Sequence, residues 1–309
     1  MQGLDTGDDD VPRSVLARHL RRRRMPVRFL YAGRAADRHV QLAEAFPDEY
    51  LDGRSDHEVN TLAEVLGPGP VPRQLCDIGT SNGVHSAQLV TGLSRRGLGC
   101  RRYLGMDFSP RLLAAAEGRL ASCTPVDRHF VQWDIENGPT GAISSWRRGD
   151  DGVVMALVGG TLGNVDDPAR TLRHLRASCT AGDTLVLGVF LPPSPGEDVL
   201  GPYVTPAMSE MMLMPFRAVG LADHLLDLRV EFTGGAVTGT VRLRGSLVMD
   251  DVLPGGLHLT EGDEIECFRS TRFTPGAVDR LLMATGWQPL GGRADTADSY
   301  LVHISHPVI

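Results

Sequence analysis

The chain has 309 residues, of which 42% are hydrophobic and 22% charged, and its net charge is -7. This composition suits a soluble globular protein with a full core, and the negative charge gives no general attraction to nucleic acids or anionic membranes. All 31 basic residues are arginine. Chemistries that need a lysine amine, such as those of pyridoxal phosphate enzymes, P-loop nucleotidases and protein kinases, are therefore excluded.

Cysteine usage and hydropathy bear on the compartment and the partners. The five cysteines are far apart, with no CxxC pair and no histidine at metal-ligand spacing, so we expect reduced thiols and no metal site. No apolar run reaches the ~18 residues of a membrane span, and the N-terminus is polar and acidic. We expect a cytoplasmic protein, monomeric or weakly dimeric, with a small-molecule substrate and neither nucleic-acid nor membrane partners.

The first part of the chain is helical. Residues 1–12 are polar and are predicted to form a disordered arm. Three helical stretches follow, at residues 15–19, 36–46 and 57–66. A Gly-Pro-rich break at residues 67–72 ends this part. We assign residues 13–68 to the helical portion of a substrate-binding cap.

From Gln74 the sequence alternates between apolar runs and amphipathic stretches. The predicted strands are 74–78, 102–107, 129–133, 152–158 and 184–191. The predicted helices between them are 84–95, 110–120 and 168–178. Apolar strands that alternate with helices predict a parallel sheet covered on both faces. We assign residues 69–191 to a Rossmann-like domain.

After Leu191 this alternation stops. Residues 192–265 contain a Pro-broken loop, a Met-rich helical segment and strand-like alternation with Gly-Gly turn signals, and we assign them to an insertion that completes the cap. Residues 266–309, with a predicted helix at 275–286 and a strand at 300–305, return to the first domain. The predicted fold is therefore α/β, a Rossmann-like sheet with a second α+β cap domain for the substrate.

The end of the first predicted strand carries a ligand-binding signal. Residues 76–83 end the strand and open a helix, so backbone amides and a helix N-terminus face the ligand. The D-x-G-x-x-x-G spacing of Asp77, Gly79 and Gly83 is similar to that of S-adenosylmethionine-dependent methyltransferases, whereas dinucleotide-binding proteins show G-x-G-x-x-G. Ser81 replaces the middle glycine of the usual loop, so its side chain adds a hydrogen bond or shifts the loop.

Two further carboxylates follow the next two predicted strands. Asp107 can accept both ribose hydroxyls, and Asp134 can accept the exocyclic amine of adenine while Ile135 or Trp133 packs on the ring. Asp77, Asp107 and Asp134 thus lie at the C-terminal ends of successive strands, where open α/β sheets bind ligands. The predicted cofactor is S-adenosylmethionine, and the resemblance implies that the Rossmann-like sheet is that of a class I methyltransferase. The predicted cofactor-binding residues are Asp77, Gly79, Ser81, Gly83, Asp107, Asp134 and Ile135.

Four other segments carry a more specific resemblance. They are FLYA at residues 29–32, FPDEY at 46–50, GGTLGN at 159–164 and GDEI through STRFT at 262–274. Together they resemble the histidine-specific N-methyltransferase family, which includes the histidine Nα-methyltransferase of the ergothioneine pathway. The resemblance extends from about residue 29 to residue 304. It implies a two-domain enzyme that holds an amino acid by its amine and carboxylate and methylates the α-nitrogen.

The resemblance also implies roles for individual residues. Asn164 would hold the polar end of the amino acid, and Tyr31 and Tyr50 would line the pocket from the cap. Asn164 and Tyr31 are therefore the candidate catalytic residues, acting by positioning. The predicted substrate-binding residues are Tyr31, Tyr50, Asn164, Tyr203, Phe268 and Ser270. The proton acceptor stays open between water, a tyrosine hydroxyl and a nearby carboxylate.

Departures from the family pattern bear on the substrate. Phe268 stands where the family places the glutamate that reads the imidazole of histidine, and Pro193 stands where it places a lysine. Phenylalanine accepts no hydrogen bond from an imidazole, so a buried histidine side chain would lose a partner at a cost of ~1–3 kcal/mol. We expect the substrate to be a small amino acid or amino-acid-derived metabolite other than histidine, in specialised metabolism.

Three alternative functions stay open. An enzyme of the same fold could cyclise S-adenosylmethionine or transfer its aminocarboxypropyl group, which leaves methylthioadenosine in place of S-adenosylhomocysteine. An O- or C-methyltransferase of an aromatic metabolite could use the same pocket. The third alternative is a non-catalytic protein that binds the cofactor, and the presence of all three strand-end aspartates argues against it.

Overall fold

The computed structural model describes residues 11–45, 54–67, 73–123, 127–149 and 151–308. Nearly all of the predicted arm at residues 1–12 lies outside this part. The described α-helices are α1 (Arg13–Arg21), α2 (Arg34–Ala45), α3 (Arg54–Leu66), α4 (Val84–Arg95), α5 (Pro110–Leu120), α6 (Ala142–Trp146), α7 (Pro168–Ala177), α8 (Pro206–Val219) and α9 (Pro275–Ala284). Within the described residues, none of these helices has the length and apolar character that crossing a membrane requires.

The strands form three sheets. They are β1 (Gln74–Ile78), β2 (Arg102–Asp107), β3 (Asp127–Gln132), β4 (Val153–Leu157), β5 (Thr184–Phe190), β6 (Leu226–Thr233), β7 (Ala236–Leu243), β8 (Leu247–Met249), β9 (Leu257–Leu259), β10 (Glu264–Thr271), β11 (Trp287–Ala294) and β12 (Tyr300–Pro307). Two short 3-10 turns matter for the site, one at Val27–Tyr31 before α2 and one at Thr161–Asn164 after β4.

The largest sheet has seven strands in the order β11-β12-β5-β4-β1-β2-β3. Strands β1 to β5 pair in parallel, and β12 is antiparallel to both of its neighbours. Every residue of β1 and β4 is buried, as expected for strands covered on both faces. This arrangement confirms the predicted α/β fold with the Rossmann-like sheet of class I methyltransferases.

Capping residues fix the starts of two helices that cover the sheet. The Ser109 hydroxyl accepts a hydrogen bond from the backbone N–H of Leu112 at 3.4 Å, and Pro110 occupies the first turn of α5. Asp167 caps α7 in the same way, by accepting from the N–H of Arg170 at 2.9 Å. Such caps stabilise a helix by about 1 kcal/mol each. These signals explain why the sequence predicts the start of each helix correctly.

The apolar core has three parts. One cluster, which includes Leu104 and Leu157, packs on one face of the seven-stranded sheet, and another, which includes Tyr103 and Val154, packs on the opposite face. The third lies around Phe216, where α1 and α8 cover the three-stranded sheet β10-β7-β6. The chain therefore builds a second α+β layer beside the large sheet.

Two features differ from the predicted domain boundaries. Strand β10 pairs with β7 from Glu264 to Thr271, so the boundary predicted after residue 265 falls inside a strand. Helix α3, which the sequence pattern assigns to the cap, packs on α4 and β12 because its buried face, with Val59 and Leu62, belongs to the core of the large sheet. With these differences, the division into domains stays a prediction.

Strand β11 has no counterpart among the predicted strands. Its residues Pro289, Gly291 and Gly292 weaken the sequence signal, because proline and glycine disfavour strand interiors. The strand nevertheless forms at the edge of the sheet, where β12 is its one partner among the described strands and its register shifts between Pro289 and Gly291. An edge position tolerates proline because one side of the strand needs no ladder hydrogen bond.

Gly83 is expected to be intolerant of a side chain. Its φ is +79°, and a Cβ there would lie 2.7 Å from the Cα of Ala116 in α5. Gly83→Ala should lower the free energy of unfolding by about 2–4 kcal/mol, because left-handed strain and overpacking add. Gly118→Ala is the matched control. Gly118 also lies in α5, two residues from Ala116, but a Cβ there would meet nothing within 4 Å.

Urea unfolding of both variants measures the difference. Gly118→Ala should be neutral or stabilising by up to about 1 kcal/mol, since alanine is the better helix former. Equal stability of the two variants would contradict the close approach of the turn before α4 to α5.

Candidate active site

A cavity of about 300 Å³ opens at the carboxyl ends of the central strands. Its floor comes from the segments that follow β1, β2, β3 and β4. Its other walls come from the 3-10 turn Val27–Tyr31 and from helices α2, α3 and α4. The volume lies at the lower end of the range for small-molecule sites, roughly 300–1,000 Å³. The cavity therefore lies where the sequence predicts ligand binding.

Asp77 anchors the turn after β1. It is buried, and its Oδ2 accepts hydrogen bonds from the Ser86 hydroxyl at 2.5 Å and the Tyr103 hydroxyl at 2.9 Å. Burial raises the pKa of Asp77, although both hydrogen bonds oppose that shift. Thr80 completes the network with hydroxyl contacts of 2.8 Å to both donors. This network fixes the base of the turn and places Asp77 in the cavity wall.

The turn itself uses left-handed backbone at three predicted positions. Gly79, Ser81 and Gly83 have φ values of 77°, 52° and 79°. Serine in this region carries strain of about 1–2 kcal/mol that glycine would avoid. The Ser81 hydroxyl lies 3.0 Å from Nε2 of His39 in α2. Ser81 thus makes a side-chain hydrogen bond that joins the turn to helix α2.

Asp107 lies at the end of β2 and holds the same turn from the other side. Its Oδ2 accepts a hydrogen bond from the N–H of Ser81 at 3.0 Å, and its Oδ1 accepts from the N–H of Ser109 at 2.9 Å. Burial raises the pKa of Asp107 to about 6, against the effect of these hydrogen bonds. Each carboxylate oxygen keeps a second lone pair, which a hydroxyl of a ligand can use.

Asp134 follows β3 and is already engaged by an arginine. Arg28 donates from Nη1 to Asp134 Oδ2 at 3.2 Å, and Asn137 donates to the same oxygen at 2.8 Å. The backbone N–H of Glu136 donates to Asp134 Oδ1 at 3.0 Å. Ile135 lines the cavity beside it. An adenine amine would therefore share the Asp134 carboxylate with Arg28.

The two candidate catalytic residues both line the cavity. Asn164 ends the 3-10 turn after β4, and within the described part of the chain its buried Oδ1 has no hydrogen-bond partner. Tyr31 packs edge-on against His39, with 5.1 Å between ring centroids. Gly163 allows this turn to approach β10, since a Cβ would lie 2.6 Å from the carbonyl oxygen of Thr271. An unpaired buried acceptor costs about 1–3 kcal/mol, which a donor on a ligand would relieve.

Three of the remaining predicted substrate residues, Tyr203, Phe268 and Ser270, do not line the cavity. Tyr203 packs on Phe268 with 5.2 Å between ring centroids, and the hydroxyls of Tyr203 and Ser270 are 3.5 Å apart. Phe268 and Ser270 are buried in β10 of the three-stranded sheet, and Arg272 donates to the Tyr203 hydroxyl at 2.9 Å. Tyr50 lies outside the described residues. The substrate roles of these four residues stay predictions, without support from the cavity lining.

Several cavity residues escape the sequence analysis. His39 is neutral, because burial lowers its pKa to about 4. His85 contacts the buried carboxylate of Glu58 at 2.6 Å. Glu136 accepts from the N–H of Asp166 at 2.7 Å, and burial raises its pKa. Arg54 joins them in the wall. No sequence motif marks these residues, since their partners lie on elements far away in the chain.

Known proteins give only a weak comparison. No family profile matches the chain, and no curated protein matches it. An S-adenosylmethionine-dependent methyltransferase from Clostridium acetobutylicum is 10% identical over 88% of this chain and 99% of its own, with a TM-score of 0.49. Human N-acetylserotonin methyltransferase in complex with the cofactor is 15% identical, covering 95% of this chain and 66% of its own, with a TM-score of 0.48.

A sugar N-methyltransferase from Streptoalloteichus sp. is 18% identical over 85% of this chain and 92% of its own, with a TM-score of 0.42. These likenesses are too weak to assign an activity or a substrate to this chain. The resemblance to the histidine-specific N-methyltransferases therefore stays a prediction.

The pKa values of the two cavity histidines are expected to lie on opposite sides of the ordinary value of 6.5. His39 should titrate near pH 4 because burial disfavours its imidazolium form, and His85 above 6.5 because the charge of Glu58 outweighs its burial. Imidazole NMR signals followed against pH measure both midpoints. Glu58→Gln should lower the midpoint of His85 and leave that of His39 unchanged. Two midpoints near 6.5 would contradict the described environments.

Proposed function

We propose that the protein is an S-adenosylmethionine-dependent methyltransferase that acts on the nitrogen of a small amino acid or amino-acid-derived metabolite other than histidine. The observation that carries the proposal is the joining of the glycine turn after β1, the carboxylates of Asp107 and Asp134, and the side chain of Asn164 in the lining of one cavity. The first three suit an adenosyl group, and the last suits an amine.

The adenosyl group would lie along the ends of β1, β2 and β3. Asp107 would accept the ribose hydroxyls, because its two oxygens are held in place by backbone N–H groups and keep free lone pairs. Asp134 would accept the adenine amine beside Arg28. Ile135 and Trp133 supply the apolar surface for the ring, and Trp133 is fixed by donating from Nε1 to the carbonyl of Gly138 at 3.0 Å.

The bound cofactor supplies a methyl group on a positively charged sulfur, which a neutral nucleophile can displace. The protein's part is to hold the acceptor nitrogen in line, which requires alignment more than a strong base. The Asn164 amide oxygen would accept a hydrogen bond from an N–H of the amine, and Tyr31 would limit the position of the amine from the cap side. Glu136 is a carboxylate of the cavity wall with a raised pKa, which suits it to accept the ammonium proton.

The proposal that the substrate is not histidine rests on the family resemblance at Phe268, because Phe268 does not line the cavity. Where the resembled family carries an imidazole-reading glutamate, this chain has a phenylalanine buried against Tyr203. A buried imidazole there would lack an acceptor, at a cost of about 1–3 kcal/mol. Smaller or more apolar side chains avoid this cost. We therefore propose that this chain has diverged in substrate from the histidine-specific enzymes.

Asp107→Asn is expected to weaken binding of S-adenosylhomocysteine by about tenfold or more, because hydrogen bonds to a charged carboxylate contribute about 1.5–3 kcal/mol. Isothermal titration calorimetry measures the loss. Wild-type affinity should also fall as the pH drops through about 6, where Asp107 becomes protonated, and the variant should lack this dependence. Asp127→Asn, at the opposite edge of the sheet, is the matched control. Unchanged affinity of Asp107→Asn would remove Asp107 from the site.

Asn164→Ala is expected to lower kcat by about 10- to 100-fold with little change in S-adenosylhomocysteine affinity, because only the acceptor loses a hydrogen bond. Turnover is followed by mass spectrometry with methyl-labelled cofactor and a panel of amino acids and amines. Asn60→Ala, on α3 and outside the cavity lining, is the control. Undiminished turnover would contradict the role of Asn164. If the product were methylthioadenosine, the reaction would be cyclisation or aminocarboxypropyl transfer and not methyl transfer.

A further inference from the structure

A fully buried carboxylate lies directly behind the cavity wall. The side chain of Glu58 in α3 has no exposed surface, its Oε1 accepts from the Tyr300 hydroxyl at 2.6 Å, and its Oε2 lies 2.6 Å from Nε2 of His85. A buried charge costs several kcal/mol unless it is paired and hydrogen-bonded. Each oxygen of Glu58 has a hydrogen-bond partner, so the buried carboxylate is stabilised. One of those partners is the His85 ring, which therefore lies next to a negative charge.

His85 is the part of this pair that reaches the cavity. Its side chain is 26% exposed and lines the wall beside Asp77 and Arg54. Burial by itself lowers its pKa, but the charge and hydrogen bond of Glu58, with a contribution from Asp77, raise it above 6.5 against the opposing charge of Arg54. Among the described residues, Glu58, Asp77 and Arg54 are charged groups that act on the ring. The buried carboxylate of Glu58 therefore favours the protonated form of His85.

The position of this cation is unfavourable for the helix that bears it. His85 lies in the first turn of α4, where the helix dipole disfavours positive charge. A buried carboxylate on another helix stabilises the cation there. A cation in this wall can bind an anionic group of a ligand. Backbone N–H groups at the same helix N-terminus also favour an anion.

The hydrogen bonds locate the cation at one end of the cavity. Tyr300 joins Glu58 to the backbone N–H of Gly159, which donates to the Tyr300 hydroxyl at 2.8 Å just after β4. Asp107 and Asp134 lie at the ends of β2 and β3, on the other side of β1 in the sheet order. A nucleoside held by these two carboxylates would extend its tail past β1 toward β4, and so toward His85.

We propose that the imidazolium of His85, held by Glu58 and assisted by Arg54, binds the carboxylate of the amino-acid tail of S-adenosylmethionine. The proposal rests on the proposed function. It assigns a carboxylate subsite to residues that no motif marks. It also makes cofactor affinity depend on pH through His85, with binding strong below the pKa of His85 and weaker as the pH rises through it.

The test compares S-adenosylhomocysteine with its decarboxylated analogue by calorimetry, without any acceptor substrate, so that the only carboxylate is that of the cofactor. Wild-type protein at pH 6.5 should bind the decarboxylated analogue about tenfold or more weakly, because a hydrogen bond between charged groups is lost. In His85→Gln this ratio should fall to about threefold or less. His57→Gln, a histidine on α3 outside the cavity lining, should keep the wild-type ratio.

Two further measurements complete the test. Binding of 5′-methylthioadenosine, which lacks the carboxylate, should be the same in wild type and His85→Gln, and this shows that the variant is folded. Glu58→Gln should move the pH at which the ratio declines to a lower value, because His85 then loses the charge that raises its pKa.

The outcomes separate the two proposals. If no adenosyl ligand binds the wild type, the proposed function is wrong. If S-adenosylhomocysteine binds but the ratio is the same in wild type and His85→Gln, the proposed function stands and the carboxylate subsite is not at His85. A pH-independent ratio in the wild type would also overturn the subsite.

Discussion

The site depends on the parallel register of β4, β1, β2 and β3. Pairing of Ile78 with Met106 and of Asp107 with Gln132 brings the carboxyl ends of these strands to one edge of the sheet. There the Asp107 carboxylate accepts the N–H of Ser81, at 3.0 Å, and so joins the ends of two strands. Without this register the glycine turn and the strand-end carboxylates would not share a cavity, because each comes from a different part of the chain.

The N-terminal turn Val27–Tyr31, helix α2 and helix α3 add charges and contacts that the sheet edge lacks. Arg28 pairs with Asp134 at 3.2 Å, and His39 contacts Ser81 at 3.0 Å. The first contact attaches the N-terminal part of the chain to the segment after β3, and the second attaches it to the glycine turn after β1. Glu58 and His85 add a second, internally balanced ion pair on the β4 side. The cavity thus offers carboxylate acceptors at one end and a cation at the other, which is the polarity that an adenosyl amino acid has.

Sequence patterns predict the strands and helices of the large sheet well, but they predict poorly which side chains meet in the cavity wall. The bounds of β1, α4, β2 and α5 follow directly from apolar runs and caps, because these are local signals. Glu58 and His85 are 27 residues apart and meet only through tertiary packing, so no local pattern marks them. The motif resemblance predicts Phe268 and Ser270 as substrate residues. They share one face of β10, as period-two alternation requires, and that face contacts Tyr203 and does not line the cavity.

The most direct test of the central claim is a crystal structure of the protein with S-adenosylhomocysteine. We expect the adenosine over the ends of β1, β2 and β3, with the ribose hydroxyls within hydrogen-bond distance of Asp107 and the carboxylate of the tail beside His85. Adenosine bound elsewhere, or ribose hydroxyls that do not contact Asp107, would contradict the account.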